Sequence, residues 1–392
     1  MRIGFDAEVL TENKTAAAHY LSKLVEHLVR GNPRLEVVLF SSDKILVDYE
    51  PSTHFPQIKR VAARLPKDKR KDWPAKVLPG LLKEHAIDVF HAPVQSSLAL
   101  FRPSCPSVIT IFDLAPWIIP GSSQGLFASL HYKMRQLAWS RIATRMIAVS
   151  ETVKKDIVRL CHVAPDGIVV TPLGCDEELP QGMSQEEETR ILKKYGIDGK
   201  TYVVSVSGLD RSRRNPDYLL EAFAECHRFL PDDLYFVFTG NNYRDEGHFD
   251  RTLRKMEMLG IRNKVVVTGF VPERVFQTIL ANAAVSVVTP FYTGMPLAIL
   301  DSFACGVPVV ASDRGAIPEI AGEAAALIDP YDPSAIAGAI RRLIENSIEH
   351  ESYAEKGLVR AKEFTWDKVA EKTLNLYQDI LGASRSSGEA LP

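Results

Sequence analysis

Short apolar runs alternate along this chain with stretches in which apolar residues recur every three or four positions. Short runs with few polar residues are typical of strands buried on both faces of a sheet. The predicted strands are residues 3–7, 36–41, 88–92, 107–113, a strand ending at 150, and residues 202–207, 234–240, 265–271, 284–289, 307–311 and 325–330. Helical spacing predicts helices over residues 15–30, 130–138, 151–160, 216–230, 297–305 and 332–343, a short helix within 179–199, and a last helix that starts near 364–367.

Helix signals support several of these boundaries. Thr15 and Ser150 stand where an N-cap side chain is expected, and Glu151 falls in the first turn of its helix. Gly306 stands at a helix C-cap, with Pro308 just beyond it. Because strands and helices alternate in both halves, we expect two doubly wound domains that bind ligand at the carboxyl ends of their strands.

The segment from Val287 to Gly315 is the most informative of these units. It predicts a strand, a turn with Gly294, a helix and a second strand. Such a turn should leave the backbone N–H groups of Met295, Leu297 and Ala298 free to bind an anion at the helix N-terminus. The alternative is one more repeat of an α/β sheet with no ligand of its own.

Composition narrows the class of protein. A chain of 392 residues, 46% hydrophobic and 24% charged, is typical of a globular protein with about two domains. Five cysteines without a CxxC pair favour neither a disulfide framework nor a metal site, and this suits a reducing cytoplasm. The chain enters a strand at once, and no apolar run is long enough to span a membrane. These features predict a soluble intracellular protein.

A basic run is the clearest charge feature. Residues from Lys59 to Lys71 include seven Lys or Arg and one acid, Asp68. Such runs are most often solvated loops. The alternative is a contact with an anionic membrane surface, at about 1 kcal/mol per basic residue near the lipid.

The sequence from Gly294 to Ser312, GMPLAILDSFACGVPVVAS, resembles the donor-site signature of retaining glycosyltransferases of family 4. That family usually has Glu at two positions eight residues apart, where this chain has Thr293 and Asp301. Further similarity, strongest at 145–176 and 203–224, extends the resemblance over most of residues 1–380. It implies an α/β protein with the GT-B fold, in which two doubly wound Rossmann-like domains face a cleft.

The resemblance assigns donor-side residues. The loop Gly208–Asn215 is similar to the family's Gly-…-Arg-Lys-Asn loop, and the guanidinium groups of Arg213 and Arg214 suit diphosphate oxygens. A surface salt bridge is the alternative for either arginine. Asp301 is expected to accept hydrogen bonds from the donor ribose, and Thr293 to contact the sugar without a charge. The expected donor-binding residues are Gly208, Val271 (near which main-chain atoms hold the base), Gly294, Met295, Pro296 and Leu297.

The first half departs from the family where acceptor contacts are expected. The usual glycine loop is replaced by Ala16–Ala18, and alanine is penalised at positive φ. An early helix start is therefore favoured over a substrate-binding loop. His19 replaces the usual Arg, and Phe112 replaces the His before Asp113. The expected acceptor-side residues are Ala16, His19 and His91, and the expected catalytic residues are Arg213, Arg214, Asp301, Thr293 and Asp113.

The resemblance implies a metal-independent retaining hexosyltransferase. It would move a sugar from a nucleoside diphosphate sugar to a saccharide or lipid-linked acceptor in polysaccharide, O-antigen or glycolipid synthesis. We expect no metal, no cofactor apart from the donor substrate and no nucleic-acid partner, in the cytoplasm with the inner membrane face as a candidate location. The departures leave an alternative open, a catalytically impaired homologue that binds a nucleotide or a partner protein.

The expected domain boundaries follow the same pattern. Residues 1–178 should form an acceptor-side domain and 179–365 a nucleotide-sugar donor domain. Residues 366–382 should form a helix that crosses back to the first domain, and 383–392 a flexible tail rich in Ser and Gly.

Overall fold

The structure is a computed structural model that describes residues 1–11, 15–45, 55–94, 102–119, 126–176, 183–206, 215–230, 233–240 and 246–386. The chain forms two compact units. The first comprises residues 1–117, 123–174 and 365–392, and the second comprises 118–122 and 175–364. The last helix therefore belongs to the first unit, and apart from the short segment 118–122 the chain passes between the units at Gly174–Cys175 and at Phe364–Thr365.

Each unit is built on a parallel sheet. Over the described residues the strands are β1 Arg2–Asp6, β2 Glu36–Ser41, β3 Ile58–Ala62, β4 Val89–Ala92, β5 Ser107–Ile111, β6 Arg145–Ala148, β7 Ile168–Val170, β8 Thr201–Val206, β9 Leu234–Thr239, β10 Val265–Gly269, β11 Val285–Val288, β12 Val309–Ser312 and β13 Ala325–Ile328. The order is β3-β2-β1-β4-β5-β6-β7 in the first sheet and β10-β9-β8-β11-β12-β13 in the second. Both orders reverse once, as in doubly wound sheets.

The helices cover these sheets. They are α1 Ala16–Gly31, α2 Leu78–Glu84, α3 Ala115–Ile118, α4 Leu126–Ile142, α5 Glu151–Cys161, α6 Gln185–Lys194, α7 Pro216–Cys226, α8 Glu246–Met258, α9 Glu273–Ala281, α10 Leu297–Ala304, α11 Ile317–Ala321, α12 Pro333–Glu345, α13 Ser347–Ala361 and α14 Trp366–Ser386. Most strand residues are fully buried, because helices exclude water from both faces of each sheet.

The predicted caps are in place. The Thr15 hydroxyl accepts a hydrogen bond from the Ala18 N–H, and the Ser150 hydroxyl accepts one from Val153. The Thr365 hydroxyl accepts from the Lys368 N–H at the start of α14. That helix packs against α1 through buried side chains such as Tyr377. Local polar groups thus fix where these helices begin, and apolar burial holds them on the sheet.

Two expectations are wrong in their boundaries. The basic run is not simply a loop, because residues Ile58–Ala62 form β3 and pair along β2 at the edge of the first sheet. Edge strands commonly carry lysine and arginine, so exposed Lys59 and Arg60 concealed the strand pattern. The expected flexible tail from residue 383 begins too early, because α14 continues to Ser386.

Candidate functional site

The order of the second sheet reverses between β8 and β11. Doubly wound sheets bind ligands outside the carboxyl ends of their strands at such a point. Residues 207–214 follow β8, and residues 289–296 follow β11. The first segment contains Gly208, Arg213 and Arg214 and lies outside the described residues, so their diphosphate roles stay predictions.

Backbone contacts hold the segment after β11 in place. The carbonyl oxygen of Thr293 accepts a hydrogen bond from the Ala316 N–H at 2.9 Å. Gly315 has φ +60°, and a Cβ atom there would lie 2.6 Å from the same carbonyl oxygen. Only glycine fits both the left-handed backbone and this close approach. Thr293 is therefore positioned through its main chain, and its side chain is half-buried.

The N-terminus of α10 follows directly. Pro296 is its N-cap, and no side chain caps the helix. The φ and ψ angles of Pro296, −87° and 72°, are those of an inverse γ-turn, and Leu297 N–H donates to the Met295 carbonyl at 3.2 Å. The expectation that the Leu297 N–H is free is therefore wrong. The first turn of α10 contains no acidic residue, so the positive end of the helix dipole is not neutralised within the helix.

The predicted donor-binding residues around this turn offer a ligand mainly their backbone atoms. The side chains of Met295 and Leu297 pack on an apolar cluster that includes Ile299, Phe303 and Ile317. Gly294 and Pro296 are buried. A ligand at this point therefore meets main-chain atoms, as expected for an anion at a helix N-terminus.

Asp301 lies in the second turn of α10 and lines a small pocket with a cavity volume of about 20 Å³. The pocket is also lined by Asp176, Glu273, Phe276, Gln277, Leu280, Ala304 and Cys305. Burial, together with the nearby carboxylates of Asp301 and Glu273, raises the pKa of the Cys305 thiol to about 12. This thiol is therefore not a nucleophile at neutral pH.

The pocket brings Asp301 beside the start of α9. Glu273 begins α9, two residues after Val271, so Asp301 and the first turn of α9 line the same space. Val271 is 7% exposed, whereas the large side chain of its neighbour Phe270 is 63% exposed. Glu273 was not identified in the sequence. An acid in the first turn of a helix is usually explained by the helix dipole, and only the packing of α10 beside α9 places Glu273 in the same pocket as Asp301.

Among the described residues of the first unit, Asp6 is the most perturbed carboxyl, and the sequence did not single it out as a site residue. It ends β1, which adjoins β4 where the first sheet reverses order. Its Oδ1 accepts hydrogen bonds from the Glu8 N–H at 3.1 Å and from Trp73 Nε1 at 3.2 Å. Burial raises the pKa of Asp6 to about 7 despite these bonds, and the Glu8 charge adds to the rise. Perturbed carboxyls of this kind are common at functional sites.

His91 is not on an acceptor surface. Its side chain is fully buried, with Nδ1 2.5 Å from the Tyr377 hydroxyl and Nε2 2.8 Å from the Thr110 hydroxyl. The Thr110 hydroxyl also pairs with the hydroxyl of Tyr20 at 3.0 Å. Burial lowers the pKa of His91 to about 3, so its imidazole is neutral. The expectation of direct acceptor contact is therefore wrong, because both ring nitrogens are used within the core.

The other expected first-unit residues keep partial access to solvent. Ala16 is exposed in the first turn of α1, and half-buried His19 packs edge-on against the ring of Trp366 at 5.6 Å. Asp113 Oδ1 accepts the Ala115 N–H at 3.0 Å at the start of α3. Phe112 packs edge-on against Tyr20 at 5.4 Å. Half-buried Phe112 thus lies beside the buried Tyr20–Thr110–His91–Tyr377 network.

Two family models match the chain in succession. The model described as Glycosyltransferase Family 4 matches residues 17–179, and that of glycosyl transferases group 1 matches residues 187–360. Together they span most of the sequence and divide it close to the observed unit boundary. The chain belongs to the family 4 glycosyltransferases. Among the described residues, no group of His, Cys, Asp and Glu has the arrangement of a metal site, and no helix is long and apolar enough to cross a membrane.

Curated relatives of this family 4 chain are distant. It is 30% identical over 240 residues to the O-antigen chain mannosyltransferase B of Escherichia coli, covering 60% of this chain and 61% of that protein. It is 26% identical over 246 residues to the MMP alpha-(1->4)-mannosyltransferase of Mycolicibacterium hassiacum, covering 62% and 56% respectively. The matches thus span less than two thirds of the length of these relatives.

Solved structures agree in fold over nearly the whole chain. Anabaena HepE in complex with UDP and glucose has a TM-score of 0.75 at 17% identity, covering 97% of this chain and 100% of HepE. Sucrose-phosphate synthase of Thermosynechococcus elongatus has a TM-score of 0.77 at 18% identity, covering 98% and 100%. With its two parallel-sheet α/β units, this family 4 chain has the GT-B fold.

Proposed function

We propose that this protein is a retaining hexosyltransferase that moves a sugar from a nucleoside diphosphate sugar to a hydroxyl of a saccharide or lipid-linked acceptor. The observation that carries the proposal is the uncapped N-terminus of α10 at the reversal of the second sheet, about one turn before Asp301, which lines a pocket with Glu273. That pairing suits a donor with two parts, a diphosphate for the helix dipole and hydroxyl groups for the carboxylates.

The chemistry follows from the charges that develop in glycosyl transfer. Negative charge grows on the departing diphosphate, and positive charge grows on the anomeric carbon. A catalyst for this step stabilises the leaving group with fixed donors and needs no strong protein nucleophile. In the proposal, Arg213, Arg214 and backbone groups at the start of α10 neutralise the diphosphate without a metal ion. Asp301 binds the ribose, and Thr293 contacts the sugar.

The relatives support a pathway in polysaccharide, O-antigen or glycolipid synthesis. The Escherichia coli relative is named as an O-antigen chain mannosyltransferase, and HepE was crystallised with UDP and glucose. These names belong to those proteins. For this chain they motivate the choice of donors, which are UDP-glucose, UDP-galactose and GDP-mannose.

The test is release of nucleoside diphosphate from each donor, with and without a glycan or polyprenyl-linked acceptor. Calorimetry with UDP, GDP and ADP accompanies it. Arg214→Ala should weaken nucleotide binding by about 1.5–3 kcal/mol, the range for a hydrogen bond to a charged group. Arg262→Ala is the matched control, because Arg262 is an exposed arginine of the same unit. Equal affinities in the two variants would contradict the diphosphate assignment.

Two further readouts separate the finer parts of the proposal. The anomeric configuration of the product, read by NMR, tests retention. Turnover that survives exhaustive chelation with EDTA supports metal-independent transfer, and loss of turnover that Mg²⁺ or Mn²⁺ restores would contradict it. Nucleotide binding without transfer to any acceptor would instead favour the impaired, nucleotide-binding homologue.

A further inference from the structure

Three aromatic side chains meet at the carboxyl ends of the strands in the second sheet. Phe291 follows β11, Tyr331 follows β13, and Tyr218 lies in the first turn of α7. The rings of Phe291 and Tyr331 are stacked, with their centroids 4.6 Å apart and their planes 15° from parallel. The Tyr218 ring is nearly perpendicular to both, at 6.2 Å from Phe291 and 5.9 Å from Tyr331. We name these three residues the aromatic platform.

Tyr331 is the open member of the aromatic platform. It is 53% exposed, whereas Tyr218 and Phe291 are half-buried. Phe291 covers one face of the Tyr331 ring. Because the Tyr218 ring is almost equally distant from the two stacked rings, it lies beside the stack and leaves the outer face of Tyr331 uncovered. The platform therefore presents one flat aromatic face to solvent.

The turn that carries Tyr331 is anchored on both sides. Asn215, the N-cap of α7, is buried with φ +59°, and its Nδ2 donates a hydrogen bond to the Pro330 carbonyl oxygen. The Tyr331 N–H donates to Asp329 Oδ1 at 3.0 Å, and Asp332 Oδ1 accepts two N–H groups from the first turn of α12. These contacts fix the backbone below the exposed ring. A ring that is already held in place loses little conformational freedom when a ligand binds.

Charged side chains stand next to the exposed ring. Arg314 follows β12, which lies between β11 and β13, and its Nη2 is 3.3 Å from Asp329 Oδ2. Its Nε is 3.1 Å from Asp313 Oδ1. All three side chains are exposed. Carboxylates accept and guanidinium groups donate hydrogen bonds, so this border suits a ligand that carries many hydroxyl groups.

A flat aromatic face bordered by carboxylates and a guanidinium matches the chemistry of a sugar ring. One face of a pyranose presents C–H groups, which pack on the negative face of an aromatic ring, while its hydroxyl groups point outward to polar side chains. A lone exposed aromatic residue is ordinary on a protein surface. Here the exposed ring is supported by two further rings and an anchored turn, and it lies at the end of the sheet where ligands bind.

We propose that the aromatic platform is a subsite for a non-reacting sugar unit of a glycan acceptor. The inference rests on the proposed function, which supplies the saccharide acceptor. Adjacent strands lie about 4.8 Å apart, so the ends of β11 and β13 are separated by about 10 Å. That separation is longer than one sugar ring. The ring on Tyr331 is therefore a unit of the acceptor at some distance from the hydroxyl that reacts beside Thr293.

The aromatic platform is separate from the expected place of the nucleotide base. The base is expected near Val271, which follows β10, and β10 and β13 are the opposite edges of the second sheet. Five strand spacings put roughly 24 Å between the ends of these strands. A base near Val271 does not reach Tyr331. Phe291, two residues before Thr293, instead joins the platform to the sugar end of the proposed donor site.

The test is saturation-transfer NMR of the full chain with manno-oligosaccharides and malto-oligosaccharides of one to four units. In wild type, binding should strengthen with the number of units, and saturation of aromatic protein protons should reach the C–H groups of a sugar ring. Tyr331→Ala should weaken binding of the tetrasaccharide about tenfold, the order expected for the loss of one aromatic contact. Tyr331→Phe keeps the ring and should bind like wild type.

Phe229→Ala is the matched control. Phe229 is a 62% exposed aromatic residue of the same unit, but it lies between α7 and β9, at the amino ends of the strands. Its replacement should leave oligosaccharide binding unchanged. In calorimetry with UDP and GDP, Tyr331→Ala should keep the wild-type affinity within about twofold, because the platform lies outside the nucleotide site.

Three results would overturn the proposal. The subsite is excluded if wild type binds none of the oligosaccharides, or if wild type and Tyr331→Ala bind them equally. A loss of nucleotide affinity in Tyr331→Ala would assign the platform to the donor. Loss of a dimer in size exclusion, with oligosaccharide binding kept, would make the platform a protein interface.

Failure of the proposed function gives a different result. A chain that binds oligosaccharides through Tyr331 but releases no nucleoside diphosphate from any donor keeps the sugar-binding subsite and loses the transferase assignment. A chain that transfers sugar with equal acceptor KM in wild type and Tyr331→Ala keeps the transferase and loses the subsite.

Discussion

The buried carboxyl of Asp6 should contribute stability that is lost as pH rises. In the unfolded chain an Asp carboxyl titrates near 3.8, and in the fold burial raises the pKa of Asp6 to about 7. A raised pKa means that the folded state favours the protonated form. The stabilisation is fully present below pH 3.8, is lost as pH rises through 7, and stays lost above it.

The size of this effect follows from the shift. Raising the pKa of Asp6 from 3.8 to about 7 changes the free energy of unfolding by roughly 4 kcal/mol between the two ends of that pH range. The side chain is 2% exposed, so solvent screening reduces this little. Asp6→Asn keeps an oxygen that can accept from the Glu8 N–H and Trp73 Nε1 but carries no charge. The Asn variant should therefore be the more stable protein at pH 8, by up to about 4 kcal/mol.

The assay is urea denaturation of wild type, Asp6→Asn and Asp6→Ala at intervals from pH 4 to pH 8. The stability of wild type relative to each variant should fall by about 1.4 kcal/mol per pH unit between pH 4 and pH 7, because the other titrating groups, His91 among them, are common to all three proteins. Asp6→Ala should also be destabilised at pH 4 by about 1–3 kcal/mol, because two buried donors lose their acceptor. A wild type and an Asn variant with parallel pH profiles would refute the reasoning.

Three further predictions concern both units. His91 has a depressed pKa, so its contribution to wild-type stability falls as pH drops below 6.5. His91→Gln should remove this contribution, which is about 2 kcal/mol between pH 7 and pH 5. Urea denaturation that shows the same change in stability between the two pH values for wild type and variant would contradict this. Gly315→Ala and Gly196→Ala should each lower the free energy of unfolding of the second unit by roughly 1–3 kcal/mol or more, and the loss should be larger for Gly315→Ala. Both glycines have positive φ, but only at Gly315 would a Cβ meet a backbone atom, so equal losses in thermal denaturation would exclude the clash. Thr293→Glu should leave nucleotide affinity within about twofold in calorimetry and change only turnover, and a collapse of affinity would show that the Thr side chain supports the loop.

The sequence predicted those parts of the fold that depend on local chemistry. Thr15, Ser150 and Thr365 cap their helices because a hydroxyl before an apolar periodic stretch is a local signal. Strand β3 was not predicted because an edge strand tolerates cations, and Lys and Arg in β3 obscure the alternation of apolar and polar residues. No helix was predicted over α13, Ser347–Ala361, whose mixed polar sequence gives a weak apolar face.

The candidate site was less predictable than the fold. His91 was assigned to an acceptor surface because a polar residue at a strand end usually faces a ligand. Its partner Tyr377 lies 286 residues away, and no local pattern reveals that bond. Asp6 and Glu273 were missed for the same reason. The pKa of Asp6 depends on Trp73 and on burial, and the position of Glu273 matters only beside Asp301.

The two altered positions of the family signature, Thr293 and Asp301, have different surroundings in the structure. Thr293 is held through its main chain, by the Ala316 N–H on its carbonyl and by the close approach of Gly315, so we expect the loop to tolerate a change of its side chain. Asp301 lines a pocket together with a second carboxyl, Glu273. In the proposed function, the two carboxyls can share the binding of the ribose. A site framed by its main chain tolerates a lost carboxylate better than one framed by side chains, and on that proposal the departures at these two positions do not remove the donor site.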